Sequence, residues 1–165
     1  MYTSAGNIYL ELYQEQAPVT VANFLRYTDS TYYDNAEFYR VVKPGNQPDN
    51  NIKIEVIQGG PGERDFIEFP PITHENTIQT GIKHLDGTIS MARADTGTVT
   101  SDFFICIGKQ PALDYGGKRN PDGQGFAAFG RVTHGSEVVK HIQKLPQDRQ
   151  LLRQAVRIDS IRRVN

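Results

Sequence analysis

The sequence predicts a mainly β fold, an antiparallel barrel or sandwich. Three observations point there. About seven or eight short runs are rich in β-branched and aromatic residues and are bounded by Gly, Pro, Asn or Asp. Only two stretches show helical spacing, one near each end. At 165 residues the chain is long enough to bury a real core as one domain, here 1–165.

In chain order, residues 8–13 follow the turn signal Gly6-Asn7 and read as a strand. Ala17-Pro18 opens a helix, since proline is tolerated in the first turn, and Asp29-Ser30 ends it. Val21, Phe24, Leu25 and Thr28 give that helix its apolar face. Phe38-Tyr39-Arg40-Val41-Val42 is the next strand. A polar insertion, 43–51, follows and is rich in turn formers. It is expected to be a mobile surface loop whose shortening to a tight turn leaves the fold and any activity largely intact. Residues 52–56 alternate and lead into Ile57-Gln58-Gly59-Gly60. Residues 61–87 read as a long, mostly irregular connection. Strands are expected over 87–93, 102–107, 126–132 and 155–161, with a loop over 115–125. Ser136 is a plausible N-cap for a helix over 137–145. Val138, Val139, Ile142 and Leu145 form its stripe, and Pro146 stops it.

Two positions suggest chemistry. Arg40 carries a planar, permanent cation, and Gln58 offers one acceptor and two donors. If their strands pair, the amide can hold the guanidinium as a fixed cationic donor; otherwise Arg40 is a rim charge on an edge strand. Over 102–107, period two sets Phe103, Ile105 and Ile107 on one face and Asp102, Phe104 and Cys106 on the other. Phe104 therefore marks either a binding face or a second core layer.

Other chemistries find little support. A formal net charge of −1 gives no basic surface for nucleic acid. No apolar run approaches the roughly 20 residues of a membrane span. The single cysteine, Cys106, excludes an internal disulfide and reads as an inert buried thiol. His74, His84, His134 and His141 lack the spacing of a helical zinc site and read as scattered surface histidines. Gly116-Gly117-Lys118 continues with Arg119 rather than the Ser or Thr of a phosphate loop, and the Asp/Asn spacing nearby does not fit an EF-hand. No Ser-His-Asp arrangement follows from residue order alone.

Five motifs then occur in one order: Phe38-Tyr39-Arg40-Val41; Gln58-Gly59-Gly60; Ser90-Met91-Ala92 followed by Phe103-Phe104-Ile105-Cys106; Leu113-Asp114; and Phe129-Gly130. In this the chain resembles the cyclophilins, peptidyl-prolyl cis-trans isomerases, over nearly its whole length. The resemblance implies an eight-stranded antiparallel closed barrel capped by two α-helices, with a packed interior and a substrate groove on its outer face. It implies Arg40 as the catalytic residue, with Gln58 supporting it and contacting the peptide. Val56, Phe104, Leu113 and Phe126 would line a proline pocket, and Ala92, Arg93 and Asp102 would border the neighbouring groove. No cofactor and no metal are implied. The partners are proline-containing peptides or unfolded protein segments, and a monomer is expected. A catalytically weak proline-peptide binding module on the same fold is the alternative. Departures from the pattern are Tyr39 for His, Glu55 for an aromatic pocket residue, Asp102 for Gln, Arg93 for Asn, and Phe126 for His or Tyr. Tyr115, in the enlarged loop, competes with Phe126 for that place. Ala112 stands where many members carry the Trp that binds cyclosporin, so weak cyclosporin binding is expected. Because the chain opens almost directly on a strand, an exported or periplasmic setting is favoured over a cytoplasmic one.

Overall fold

A computed structural model describes residues 1–62 and 68–164. Five residues of the expected connection over 61–87, namely 63–67, lie outside the described residues. The elements are β1 (Tyr2–Thr3), β2 (Gly6–Asn7), β3 (Tyr9–Leu12), α1 (Pro18–Asp29), β4 (Ala36–Val42), β5 (Val56–Gly60), α2 (Thr77–Thr80), β6 (Thr88–Met91), β7 (Phe103–Cys106), β8 (Ala127–His134), α3 (Ser136–Lys144), β9 (Gln147–Asp148) and β10 (Leu151–Ser160).

Among the described residues all strands join one antiparallel sheet in the order β2-β1-β10-β4-β5-β7-β6-β8-β3, with β9 paired to β10. The two ends of this path, β2 and β3, are separated by Ile8 alone. Residues 6–12 thus act as one strand whose first half pairs with β1 and whose second half pairs with β8. The sheet returns on itself as a nearly closed barrel. Counting 6–12 as one strand leaves nine strands against the expected eight, and the extra one is the two-residue β9, which pairs with β10 off the main path.

Alternation decides what fills the barrel. Ile57 of β5, Ile89 and Met91 of β6, and Phe103 and Ile105 of β7 point inward and are fully buried in one core cluster. Phe24 of α1 closes on that core, with its ring 5.7 Å from Phe103 and 5.1 Å from Phe129. Val139 and Ile142 of α3 join the same cluster. The opposite faces of β5 and β7 carry Val56, Phe104 and Cys106. These belong to a second, separate cluster with Val42, Ile54 and Leu113.

Several boundaries differ from expectation. β10 starts at Leu151 because its first residues pair with β9, as a hairpin beside β4. The N-cap of α3 is Gly135, at φ +89°, and Ser136 is already helical. A Cβ at position 135 would meet Asn7 O at 2.2 Å, which leaves only glycine for that turn. β5 begins at Val56, so residues 52–55 alternate without joining the sheet. The connection over 61–87 holds one unexpected turn of helix, α2. Asn76 Oδ1 accepts from Ile78 N and Gln79 N, and Gln79 Oε1 accepts from Asn76 N. His74 and His84 are buried, not on the surface.

Candidate active site

Arg40 reaches the outer face through an irregularity in its own strand. In the β4–β5 pairing Phe38 lies opposite Gly59 and Arg40 opposite Gln58, so Tyr39 is an extra residue. Strict alternation would send Arg40 inward after an outward Tyr39. The bulge resets the count: Phe38 and Val41 enter the core, while Tyr39 and Arg40 meet the same Gln58 outside. The partner strand is shaped to fit. A Cβ at Gly59 would meet Glu37 O at 2.6 Å, and one at Gly60 would lie 1.8 Å from Asp102 Oδ1. The Gly-Gly pair admits the bulge on one side and the Asp102 carboxylate on the other.

The guanidinium is held on two edges. Arg40 Nη1 donates to Gln58 Oε1 at 2.8 Å, and Nε and Nη2 both donate to Gln150 Oε1 at 3.0 and 2.6 Å. Gln58 Nε2 donates to Tyr39 Oη at 2.7 Å, and that hydroxyl donates to Asp102 Oδ2 at 2.5 Å. Burial, then the Asp102 carboxylate, push the Tyr39 phenol well above its usual range, so it stays a donor. Burial, with Glu68 adding to it, raises the Asp102 carboxyl despite the Tyr39 hydrogen bond. Among the described residues no carboxylate lies within ion-pairing distance of Arg40.

Below Arg40 and Gln58 lies a cavity of about 220 Å³. Its apolar walls are Val42, Ile54, Val56, Phe104, Leu113 and Phe126; Ala92, Arg93, Arg119 and Asn120 complete it. The Phe104 and Phe126 rings meet edge to face at 5.3 Å, and His84 stacks on Phe104 at 5.9 Å. Eight of the expected site residues therefore share one cavity. The ninth, Asp102, lines an adjoining hollow with Tyr39, Gln58, Ala92 and Arg93. Arg93 is committed elsewhere: its fork binds both Asp122 oxygens at 2.7 and 2.9 Å, and its Nε donates to Gly125 O at 2.8 Å. It pins the loop before Phe126 and holds the Asp122 carboxyl far below its usual range. Tyr115 is exposed and does not line the cavity. Glu55 is also absent from its walls, and Ile54 supplies the apolar surface there.

Residue order could not assign a Ser-His-Asp arrangement, yet one is present. His84 Nδ1 lies 2.8 Å from Asp114 Oδ1, and Nε2 lies 3.0 Å from Ser90 Oγ. Ser90 is fully buried, so no substrate can reach it. The trio instead ties the turn Pro111–Leu113, which carries Leu113, to β6 behind Phe104. Burial lowers the His84 pKa and keeps the ring neutral. Burial alone would raise the Asp114 carboxyl, but the His84 side-chain and backbone donors hold it below its usual value. Cys106 is buried, and burial raises its thiol pKa, which makes it inert.

Fold and site together define a barrel whose polar and apolar binding groups lie outside its wall, with an apolar pocket under a clamped cation. The chain belongs to the cyclophilin family: the model for cyclophilin-type peptidyl-prolyl cis-trans isomerase/CLD matches residues 1–163. Peptidyl-prolyl cis-trans isomerase A of Dickeya dadantii is 37% identical over 147 residues, covering 87% of this chain and 69% of that protein. Peptidyl-prolyl cis-trans isomerase cyp18 of Streptomyces antibioticus is 39% identical over 145 residues, covering 86% and 80%. A Cryptosporidium parvum cyclophilin-type isomerase, crystallised in the presence of the dipeptide Ala-Pro, has the same fold at TM-score 0.77 and 24% identity, over 97% of this chain and 94% of that one.

The sequence missed Val42, Ile54, Arg119, Asn120 and Gln150. Val42 follows the bulge, which no local pattern announces. Gln150 stands 110 residues from Arg40. Ile54 is legible as an apolar residue in the alternating run before Gln58, but that alternation predicts a strand rather than a pocket wall.

Proposed function

We propose that this chain is an active prolyl cis-trans isomerase acting on X-Pro bonds of peptides and unfolded segments, with Arg40 as its catalytic residue. The observation that carries this is the clamped guanidinium at the mouth of the apolar cavity. The proline ring enters among Val56, Phe104, Leu113 and Phe126. Ala92, Arg93 and Asp102 flank the residues before it.

The amide must twist through a barrier of ~18–20 kcal/mol, and unaided X-Pro exchange takes roughly tens to hundreds of seconds. In the twisted state the C–N bond loses double-bond character and the prolyl nitrogen gains a lone pair. A donor to that nitrogen binds more strongly there than in either planar state, and this difference lowers the barrier. Arg40 suits the role, being always protonated and already oriented. The pocket holds the ring while the preceding carbonyl turns. No covalent intermediate and no cofactor are needed. Arg40, Gln58, Gln150 and the pocket walls all come from one copy, so a monomer suffices for the reaction. Ala112 leaves cyclosporin without its indole contact, and binding is weak.

The test is exchange NMR, or a protease-coupled assay, on an Ala-Pro tetrapeptide. Accelerated exchange is expected. Saturable peptide binding without acceleration would reduce the chain to a binding module.

A further inference from the structure

We infer that the 43–51 insertion and the β9–β10 turn form a clamp that orients Arg40, with Gln150 as its positioning residue. The inference rests on the isomerase reading of Arg40.

Gln150 gives its single amide oxygen to two adjacent nitrogens of Arg40, Nε and Nη2. Its Nε2 donates to the main-chain oxygen of Asn46, inside the insertion, at 3.1 Å. A guanidinium can only donate and a carbonyl can only accept, so the amide has one workable orientation. Asn46 is fixed in turn: its Oδ1 accepts from Lys43 N and its Nδ2 donates to Val41 O, each at 2.9 Å. Val41 N donates to Gln150 O at 2.8 Å. The residue after Arg40 is therefore held from both sides, by the insertion and by the turn.

The insertion is anchored at a second point. Gln47 is only 2% exposed. Its Nε2 donates to Lys43 O and Ile54 O, and its Oε1 accepts from Ile54 N and from Arg119 Nη1 at 2.8 Å. Ile54 and Arg119 are walls of the cavity. A segment expected to be a dispensable loop thus bridges the cation and the pocket.

Both partners of Arg40 are neutral amides. Each fixes the plane of the guanidinium without cancelling its charge. A guanidinium has five N–H groups. Three are engaged, which leaves one on each terminal nitrogen uncommitted among the described residues. A carboxylate at 150 would hold the arginine at least as firmly but quench its field. Positioning and simple structural support therefore predict opposite results for one substitution.

The experiment compares wild type, Gln150→Leu, Gln150→Glu and a chain with 43–51 replaced by a tight turn. Readouts are kcat and KM on the tetrapeptide, Tm, and the solvent-exchange rate of the Arg40 Nε–H by ¹⁵N NMR. Misplacing a catalytic group by about 1 Å can cost on the order of 10²-fold in rate. Gln150→Leu should lower kcat about 10–100-fold with little change in KM, and should speed Nε–H exchange. Gln150→Glu should keep or raise Tm and keep Nε–H exchange slow, yet still lower kcat. The shortened chain, where it folds, should match Gln150→Leu. Unchanged kcat in folded Gln150→Leu, full rescue of kcat by Gln150→Glu, or Nε–H exchange indifferent to Gln150→Leu would each overturn the clamp. A wild type without turnover would remove the isomerase reading instead, while the Nε–H exchange rates still decide whether Gln150 holds Arg40.

Discussion

Replacing Arg40 with Ala should separate catalysis from folding. The change removes three hydrogen bonds and the only charge among them. Loss of one preorganised donor to a developing charge typically costs about 10²–10³ in rate, or ~2.7–4 kcal/mol. kcat/KM on the tetrapeptide should fall by that factor. Stability should move far less. The oxygens of Gln58 and Gln150 lose their donor, and each would cost about 1–3 kcal/mol if left dry. Both border open groove, where water replaces the guanidinium. Removing the cation also relieves the burial that lowers its pKa. A net change within about 1 kcal/mol shifts Tm by only about 2–4 °C in a chain of this size. Arg40→Lys keeps the charge, but a single ammonium cannot serve two amides and the prolyl nitrogen together. It should recover part of the rate. Exchange NMR gives the rate, and circular dichroism melting gives Tm on the same samples. A folded Arg40→Ala protein that isomerises at the wild-type rate would refute the mechanism; one that unfolds would make Arg40 a structural charge.

Phe104→Ala should raise KM sharply and cost about 3–5 kcal/mol, because Phe104 is a pocket wall yet only 4% exposed; a normal KM in the folded fraction would place the pocket elsewhere. His84 has a folded pKa below its ordinary 6.5, so its neutral form stabilises the fold above that pH, and this contribution is lost as pH falls from 6.5 through the folded value. The urea midpoint should drop as pH falls below 6.5, and His84→Gln should flatten the drop; an identical slope in the variant counts against His84 as a source. Asp102 has a raised folded pKa, so its stabilising form is the protonated one, and ionisation costs stability as pH rises through that value. Asp102→Asn should therefore hold or raise Tm at neutral pH, and a marked loss would show that the charge itself is needed. Cyclosporin should bind weakly, since the chain has no Trp and Ala112 offers no indole N–H; nanomolar affinity by calorimetry would contradict that.

What could be read from the sequence follows the range of the forces involved. The inward and outward faces of β7 were legible because period two is local: Phe103 and Ile105 against Phe104 and Cys106 needs no partner strand. The pairing of Arg40 with Gln58 was legible only as a possibility, because whether their strands meet is a tertiary matter. Gln150 was invisible, since nothing near it in the chain marks a contact made across the barrel wall. His84 was misread for a related reason. Its burial is stabilised by Asp114 and Ser90, 30 and 6 residues away, and a lone histidine shows neither. Glu55 drew attention because it broke a family pattern, but the strand starts one residue later and Ile54 covers the wall.

The bulge at Tyr39 makes the outer chemistry of this barrel a question of parity. Delete that one residue and alternation runs unbroken from an inward Phe38 to an outward Arg40 and an inward Val41, so every later side chain keeps its side and only the Tyr39 hydroxyl leaves the outer face. Keep Tyr39 but pair it in regular register, without the bulge, and Arg40 would face the dry core while Val41 faced the groove. A buried, unpaired cation is among the costliest substitutes for an apolar contact. The outward aim of Arg40 is thus enforced twice over, by the reaction on one side of the wall and by the cost of burying its charge on the other. Deleting Val41 should therefore be tolerated less well than deleting Tyr39, because it moves Val42 from the groove face to the core face, even though the neighbouring 43–51 segment shows that whole loops can be accommodated two residues further on.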